Sequence, residues 1–175
     1  MELQTERLIL RRWRARDREP YAALTADPEV MAWLGGVLDV HESAEHMDAC
    51  DAHFDPWGYG RWVIERQADG AFLGYCGIAN IWPGLPVEGV EIGWRLARHA
   101  WGQGYASEAA RAAIADGLGR CGLPEILAFT AQSNLRSRSV MARAGLTPDP
   151  TRDFDHPQLP VGDPLRRHLV FVARA

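Results

Sequence analysis

The sequence predicts an α/β (α+β) protein built on one mixed, mostly antiparallel sheet with helices on its faces. Three observations predict it. The strand-like runs Arg61 to Arg66 and Phe72 to Ile81 flank the turn signal Ala68-Asp69-Gly70, so they read as an antiparallel hairpin. Helical patterns lie between this hairpin and an opening strand. After the hairpin the chain alternates strand, helix, strand, helix and closing strand.

The elements follow in order. Leu8, Leu10 and Trp13 alternate with Arg7, Arg11 and Arg12 as a first strand. Asp17 is placed to cap a helix running through Thr25. Asp27-Pro28 is a second start signal, with proline at the first helical position, and opens a short helix through Trp33 that Gly35-Gly36 ends. A third helix is expected from Glu42 to Phe54, stopping at Asp55-Pro56 before a loop with Gly58 and Gly60. After the hairpin and the loop Trp82 to Gly89, Val90 to Leu96 reads as a strand and Tyr105 to about Gly119 as a helix. Ile126 to Thr130 is a short buried strand, and Leu135 to Ala144 a helix closed by Gly145. A polar strand near Arg152 to Asp155, a proline-rich loop and the strand Leu165 to Ala173 complete the chain.

With 175 residues, 47% hydrophobic and 24% charged, the chain suits a single domain spanning residues 1–175 with one well-buried core. Nineteen basic residues against 23 acidic ones give a net charge of -4, so no electrostatic footprint for nucleic acid is present. Arginines cluster locally at Arg11 to Arg18 and at Arg136, Arg138 and Arg143, which suits a small phosphorylated ligand. The opening Met1-Glu2-Leu3-Gln4-Thr5-Glu6 carries acids where a signal peptide carries bases, and no run approaches the ~20 apolar residues of a membrane span. Cys50, Cys76 and Cys121 show no paired spacing, which fits a reducing compartment. A cytoplasmic location without membrane contact is expected.

The segment Arg98-His99-Ala100-Trp101-Gly102-Gln103-Gly104-Tyr105-Ala106-Ser107-Glu108 joins a strand to a helix. Two glycines one residue apart let successive N–H groups converge on a ligand while the helix start adds its dipole, an arrangement that cradles anions. A plain strand-to-helix turn shows the same spacing. A dinucleotide fingerprint is the other rival, but its third glycine position is Ser107. Glu125, the acid about twenty residues on, stands before a strand rather than at its carboxyl end. Downstream, Asn134 precedes a short helix rich in arginine and serine that Gly145 terminates. By itself Asn134 is a suitable N-cap.

These two segments in this order, with Val90-Glu91-Ile92-Gly93-Trp94-Arg95-Leu96 ahead of them, resemble the GNAT-superfamily N-acetyltransferases, and within them the ribosomal-protein N-terminal acetyltransferase (RimJ/RimL-like) branch. The resemblance takes in nearly the whole chain, including Thr5-Glu6-Arg7-Leu8-Ile9-Leu10-Arg11, Gly58-Tyr59-Gly60-Arg61-Trp62 and Asp153-Phe154-Asp155-His156-Pro157. It implies about seven strands splayed between the fourth and fifth, Val90 to Leu96 and Ile126 to Thr130, with pantetheine bound like an added strand. It implies acetyl-CoA as cosubstrate, with the backbone of Trp94, Arg95 and Leu96 meeting pantetheine. Gly102, Gln103, Gly104, Tyr105, Ala106 and Ser107 would receive the pyrophosphate, and Asn134 would bond near the pantetheine arm. His99 stands where the superfamily often has Gln or Arg.

Transfer to an amine needs a neutral nucleophile, a polarised thioester and protonation of the leaving thiolate. Glu91 is the candidate general base, acting through water; the competing reading is a strand-edge charge paired with a neighbouring arginine. The tyrosine that often protonates the thiolate, seven residues after the asparagine, is Met141 here, which cannot donate a proton. Ser137 is the candidate in its place, unless it only caps its helix.

His46, Cys50 and His53 share a helix face, but seven residues span roughly 10 Å, too far for one ion, so no metal is expected. Trp33, Trp57, Trp82 and Phe154 are candidates to wall an acceptor site, with Asp153 and Asp155 attracting an amine cation. The leading expectation is acetyl transfer to a primary amine, at a protein N-terminus or on a small molecule, by direct attack in a ternary complex. The alternatives are a CoA-binding sensor or regulatory module with little catalysis, and a nucleotide-binding oxidoreductase. The acceptor stays open, as does the choice between monomer and homodimer.

Overall fold

The opening run of alternating apolar and basic residues folds as two strands, β1 (Glu2–Gln4) and β2 (Leu8–Arg11), paired antiparallel with Leu3 opposite Leu10. The computed structural model describes residues 2–175. Three-residue β1 is too short for alternation to reveal, and Thr5 turns the chain by accepting the Leu8 N–H at 3.0 Å. Arg11 points inward rather than to solvent, 1% exposed, its guanidinium held by Asp17 at 2.8 Å and Glu65 at 2.7 Å.

That cluster corrects the expected role of Asp17. Its carboxylate does not cap α1 (Arg18–Thr25); it accepts the Arg14 N–H at 2.7 Å and neutralises buried Arg11. Asp27 does cap α2 (Pro28–Met31), accepting the Glu29 N–H at 2.9 Å, although this helix ends before Trp33. Helix α3 (Val40–Ala52) begins earlier than expected because Asp39 and Glu42 form a capping box. Asp55-Pro56 does not stop a helix but lies inside the short α4 (Phe54–Trp57), where first-turn proline is tolerated.

The expected hairpin is β3 (Arg61–Arg66) and β4 (Phe72–Asn80). Strand β5 (Val90–Leu96), helix α5 (Tyr105–Leu118), β6 (Glu125–Ala131) and α6 (Leu135–Arg143) follow close to their expected bounds. The tail adds the two-residue strands β7 (Thr147–Pro148) and β8 (Phe154–Asp155), then β9 (Arg167–Arg174). The sheet runs β1-β2-β3-β4-β5-β6-β9-β7, with β8 also on β9. The short β1 and β7, neither of them expected, account for nine strands where about seven were expected.

One join in this sheet differs from the rest. Every pairing is antiparallel except β5 with β6, which is parallel and registers at a single pair, Glu91 with Leu127. Beyond that pair, toward their carboxyl ends, the two strands register no further partners, and this unpaired stretch is a wedge in the sheet.

Strand alternation sorts the core into two layers. Trp62, Ile64, Ile78, Ile92 and Ile126 pack with α5 and α6 on one face. Val63 and Tyr75 point the other way, to Trp13, Tyr21, Met47 and Cys50. Helix α5 approaches the sheet so closely that a Cβ at Gly117 would lie 2.7 Å from Ile126 Cδ1 and 2.8 Å from Ile78 Cδ1. Among the described residues no helix is long and apolar enough to cross a membrane.

Candidate active site

Strand β5 leads through a 3-10 turn, Arg98–Ala100, into the glycine loop and α5. Gly102 and Gly104 take φ of 74° and 83°, a region that side chains with Cβ rarely adopt, which explains both glycines. The successive backbone N–H groups from Gly102 to Ser107 find no acceptor in the described chain; the next one, Glu108, bonds to the Gly104 carbonyl at 3.1 Å. Unpaired donors at the start of a 14-residue helix have the positive end of its dipole behind them. This donor set fits a pyrophosphate. The Gln103 side chain turns back to the His99 carbonyl at 2.7 Å, which leaves its backbone N–H as the group free to meet a ligand.

The wedge opens beside this loop. Trp94 and Leu96 point into the α5 layer, whereas Arg95 points to the α1/α3 layer, where it is 8% exposed. The Leu96 carbonyl already accepts the Trp101 indole N–H at 2.8 Å, which ties the loop to the strand. At the far side of the wedge, Asn134 caps α6 by accepting the Ser137 N–H at 3.1 Å and donates to Thr130 Oγ1 at 3.1 Å. The Asn134 amide keeps one further N–H free. The Ser137 hydroxyl has no partner among the described side chains. Met141 is 1% exposed and packs in the core.

Trp33 faces this same mouth. It lines a groove of roughly 350 Å³ with Glu29, Ala32, Asn134, Leu135 and Arg136. Arg136 stacks over the Trp101 ring at 4.6 Å, joining α6 to the glycine loop.

Glu91 stands where the wedge closes. Its carboxylate accepts Arg61 Nη2 at 2.6 Å, so the ion-pair reading describes its resting contact. Burial pushes its pKa above the ordinary glutamate value, and Arg61 works against that shift. A polar chain continues behind it. Arg95 donates to the Tyr21 hydroxyl at 3.2 Å, and that hydroxyl lies 2.7 Å from His46 Nδ1. Cys50 Sγ is 3.5 Å from the same nitrogen, while His53 stacks with Trp57 outside this chain. Among the described residues no cluster of three or more His, Cys, Asp or Glu side chains could hold a metal ion.

Burial, reinforced by Arg95 and Arg61, lowers the His46 pKa to about 4. An unfolded histidine titrates near 6.5, so the unfolded chain binds the extra proton first as pH falls. His46 should therefore cost up to about 3 kcal/mol of stability across the window from pH 6.5 to 4. Urea unfolding of His46→Asn, which keeps an acceptor for Tyr21, should show a shallower loss over that window. Equal slopes for the two proteins would refute this.

The expected acceptor walls are dispersed. Phe154 is 6% exposed and belongs to the core, packed on Phe129 and stacked on His168 with centroids 5.5 and 5.3 Å away. Trp82 and Trp57 stand exposed, and Trp82 packs over Gly84. Asp153 accepts the Val170 N–H at 2.9 Å and Asp155 pairs with Arg166 at 3.3 Å, so both acids have partners other than an amine. Sequence reasoning named Arg95 for its backbone and missed its side-chain contact with Tyr21, and it missed Arg61 and His168. Arg61 stood within a quoted motif, Gly58-Tyr59-Gly60-Arg61-Trp62; His168 is isolated on a strand and carries no local signal.

Comparison with known proteins agrees with this geometry. The Acetyltransferase (GNAT) domain family matches residues 7–147. The uncharacterized protein YkkB of Bacillus subtilis is 32% identical, over 83% of this chain and 84% of that one. The FsC-acetyl coenzyme A-N(2)-transacetylase of Aspergillus fumigatus is 33% identical over 83% of this chain, which spans 64% of that longer protein. Among solved structures, an acetyltransferase from Agrobacterium tumefaciens superposes with a TM-score of 0.81 at 30% identity, covering 100% of this chain and 95% of that one. RimL, a ribosomal L7/L12 α-N-protein acetyltransferase solved with coenzyme A, shares the fold with a TM-score of 0.79 at 16% identity, covering 99% and 98%. A family match over most of the chain, joined to a wedge and an anion cradle at its mouth, means that the chain belongs to the GNAT acetyltransferases, enzymes whose cosubstrate is acetyl-CoA.

Proposed function

We propose that this single domain transfers the acetyl group of acetyl-CoA to a primary amine by direct attack in a ternary complex. The observation that carries the proposal is the run of unpaired N–H groups from Gly102 to Ser107 at the open end of the β5/β6 wedge. Pyrophosphate on that loop directs pantetheine down the wedge, with the end of β5, Trp94 to Leu96, on one wall and Asn134 on the other. The thioester then lies toward the closed end, where Glu91 stands.

In this arrangement Glu91 takes a proton from the ammonium through water, and the free amine attacks the thioester carbonyl carbon. A backbone N–H of β5 stabilises the oxyanion; as the carbonyl re-forms, the carbon–sulfur bond breaks and the second proton on the nitrogen passes to the departing sulfur, giving the amide and the thiol. Ser137 hydrogen-bonds the departing sulfur. A thiolate is a good leaving group, so Ser137→Ala is expected to lower kcat only about tenfold, less than the ~10² to 10⁴ usual for a proton donor. Acceptor-dependent thiol release across an amine panel tests both points. Saturable acetyl-CoA binding without turnover on any amine would favour a sensor, and an unchanged kcat in Ser137→Ala would remove the serine from the mechanism.

Asp153 and Asp155 are occupied, so the proposal assigns the acceptor no acidic anchor. Trp33, beside Asn134, is the acceptor-side candidate that shares a groove with the proposed cofactor path.

A further inference from the structure

The geometry points to Arg7 as a positioning residue for the phosphate loop, so that the opening Thr5-Glu6-Arg7 turn is part of the cofactor site without touching the cofactor. This rests on the reading of Gly102 to Ser107 as the pyrophosphate cradle.

Glu108, in the first turn of α5, is the hub. It accepts the Thr5 hydroxyl at 2.6 Å, the Arg7 backbone N–H at 2.9 Å and Arg7 Nε at 2.7 Å, and Arg7 Nη2 also reaches it at 2.6 Å. Burial raises the pKa of Glu108, but these donors more than offset it, so the carboxyl titrates below its ordinary value and stays charged. With the fork of Arg7 fixed on Glu108, its remaining arm, Nη1, donates to the Gln103 carbonyl at 3.0 Å. The guanidinium also lies over the Tyr105 ring at 4.6 Å.

The contact with the Gln103 carbonyl is the decisive one. In a trans peptide the carbonyl and the following N–H point in opposite directions. Holding the Gln103 oxygen against Arg7 therefore aims the Gly104 N–H away from Arg7, to the side where a ligand would sit. Without that anchor, a loop with two glycines can rotate this peptide freely and lose the alignment of its donors. Arg7 itself is on the rear of the loop: a Cβ at Gly104 would lie 3.4 Å from its Nη2. Its charge is neutralised by Glu108, so its contribution is orientation. A planar fork that bonds a carboxylate and a carbonyl together requires arginine; lysine has no such geometry.

The test compares two donors in the same enzyme, acetyl-CoA and S-acetyl-pantetheine, which lacks the pyrophosphate. Wild type should prefer acetyl-CoA in kcat/KM, and Arg7→Met should erode that preference by about tenfold to a hundredfold, the worth of one aligned hydrogen bond to a charged group. The loss should appear in the KM for acetyl-CoA, with kcat/KM for S-acetyl-pantetheine unchanged. General damage to the fold would lower both donors equally, and an unchanged ratio in Arg7→Met would overturn the proposal. Should Arg7→Met fail to fold, Glu108→Gln loosens the same fork and carries the ratio test: an eroded preference supports the proposal and an unchanged one overturns it. A wild type that shows no preference for acetyl-CoA would instead sink the underlying pyrophosphate reading, an outcome separable from failure of Arg7.

Discussion

Gly104→Glu is expected to weaken coenzyme A binding by a hundredfold or more. Two effects combine. Gly104 has φ of 83°, and an L-residue there costs roughly 1–2 kcal/mol. The larger effect is chemical: a carboxylate placed beside the Gly102 to Ser107 donors competes for them and repels the phosphates. Losing two charge-assisted hydrogen bonds at about 1.5–3 kcal/mol each corresponds to roughly 10² to 10⁴ in affinity. Gly104→Ala isolates the backbone strain and should cost much less. Titration calorimetry with coenzyme A reads both variants. Binding by Gly104→Glu that stayed within about threefold of wild type would remove the cradle from the cofactor site, because no phosphate could tolerate that charge among its donors.

Glu91→Gln should lower kcat by roughly 10² to 10⁴ while leaving coenzyme A affinity unchanged, as expected for a proton acceptor in the chemical step. The pH profile gives an independent readout. Burial raises the Glu91 pKa and Arg61 opposes the rise, so the acidic limb of kcat/KM should lie above the ordinary glutamate range. Replacing Arg61 with Met removes the opposing charge at 2.6 Å, which should move that limb to still higher pH. Activity is lost as pH falls through the limb, since only the carboxylate accepts a proton. A limb that does not move in Arg61→Met, or a Gln variant with wild-type turnover, would return Glu91 to the role of a structural ion-pair partner.

The two glycine-dependent features were legible because local conformation fixes them. A left-handed φ permits few residues other than glycine, so Gly102 and Gly104 mark the turn in the sequence itself. Asn134 and Asp27 were equally legible, since a capping side chain bonds within three residues of its own position. Asp17 shows where that reasoning fails. It stands at a cap-like position, but buried Arg11, brought close by the turn after β2, claims its carboxylate more strongly than a helix terminus would. Asp153 and Asp155 were misplaced for a similar reason, because their partners Val170, Arg166 and Arg167 arrive on the returning strand or just before it.

By itself, then, the sequence determined the mixed sheet, the order of its principal elements, and the glycine loop and asparagine cap on which the proposed cofactor site rests. These follow from periodicity and backbone conformation, which act over a few residues. Only the tertiary structure decided that Glu91 rests on Arg61, that Phe154 is core, and that Glu108 gathers Thr5 and Arg7 behind the loop. Such pairings join residues 30 or 101 positions apart. Which arginine reaches which carboxylate is set by strand register and helix packing, and no local pattern in the chain encodes that choice.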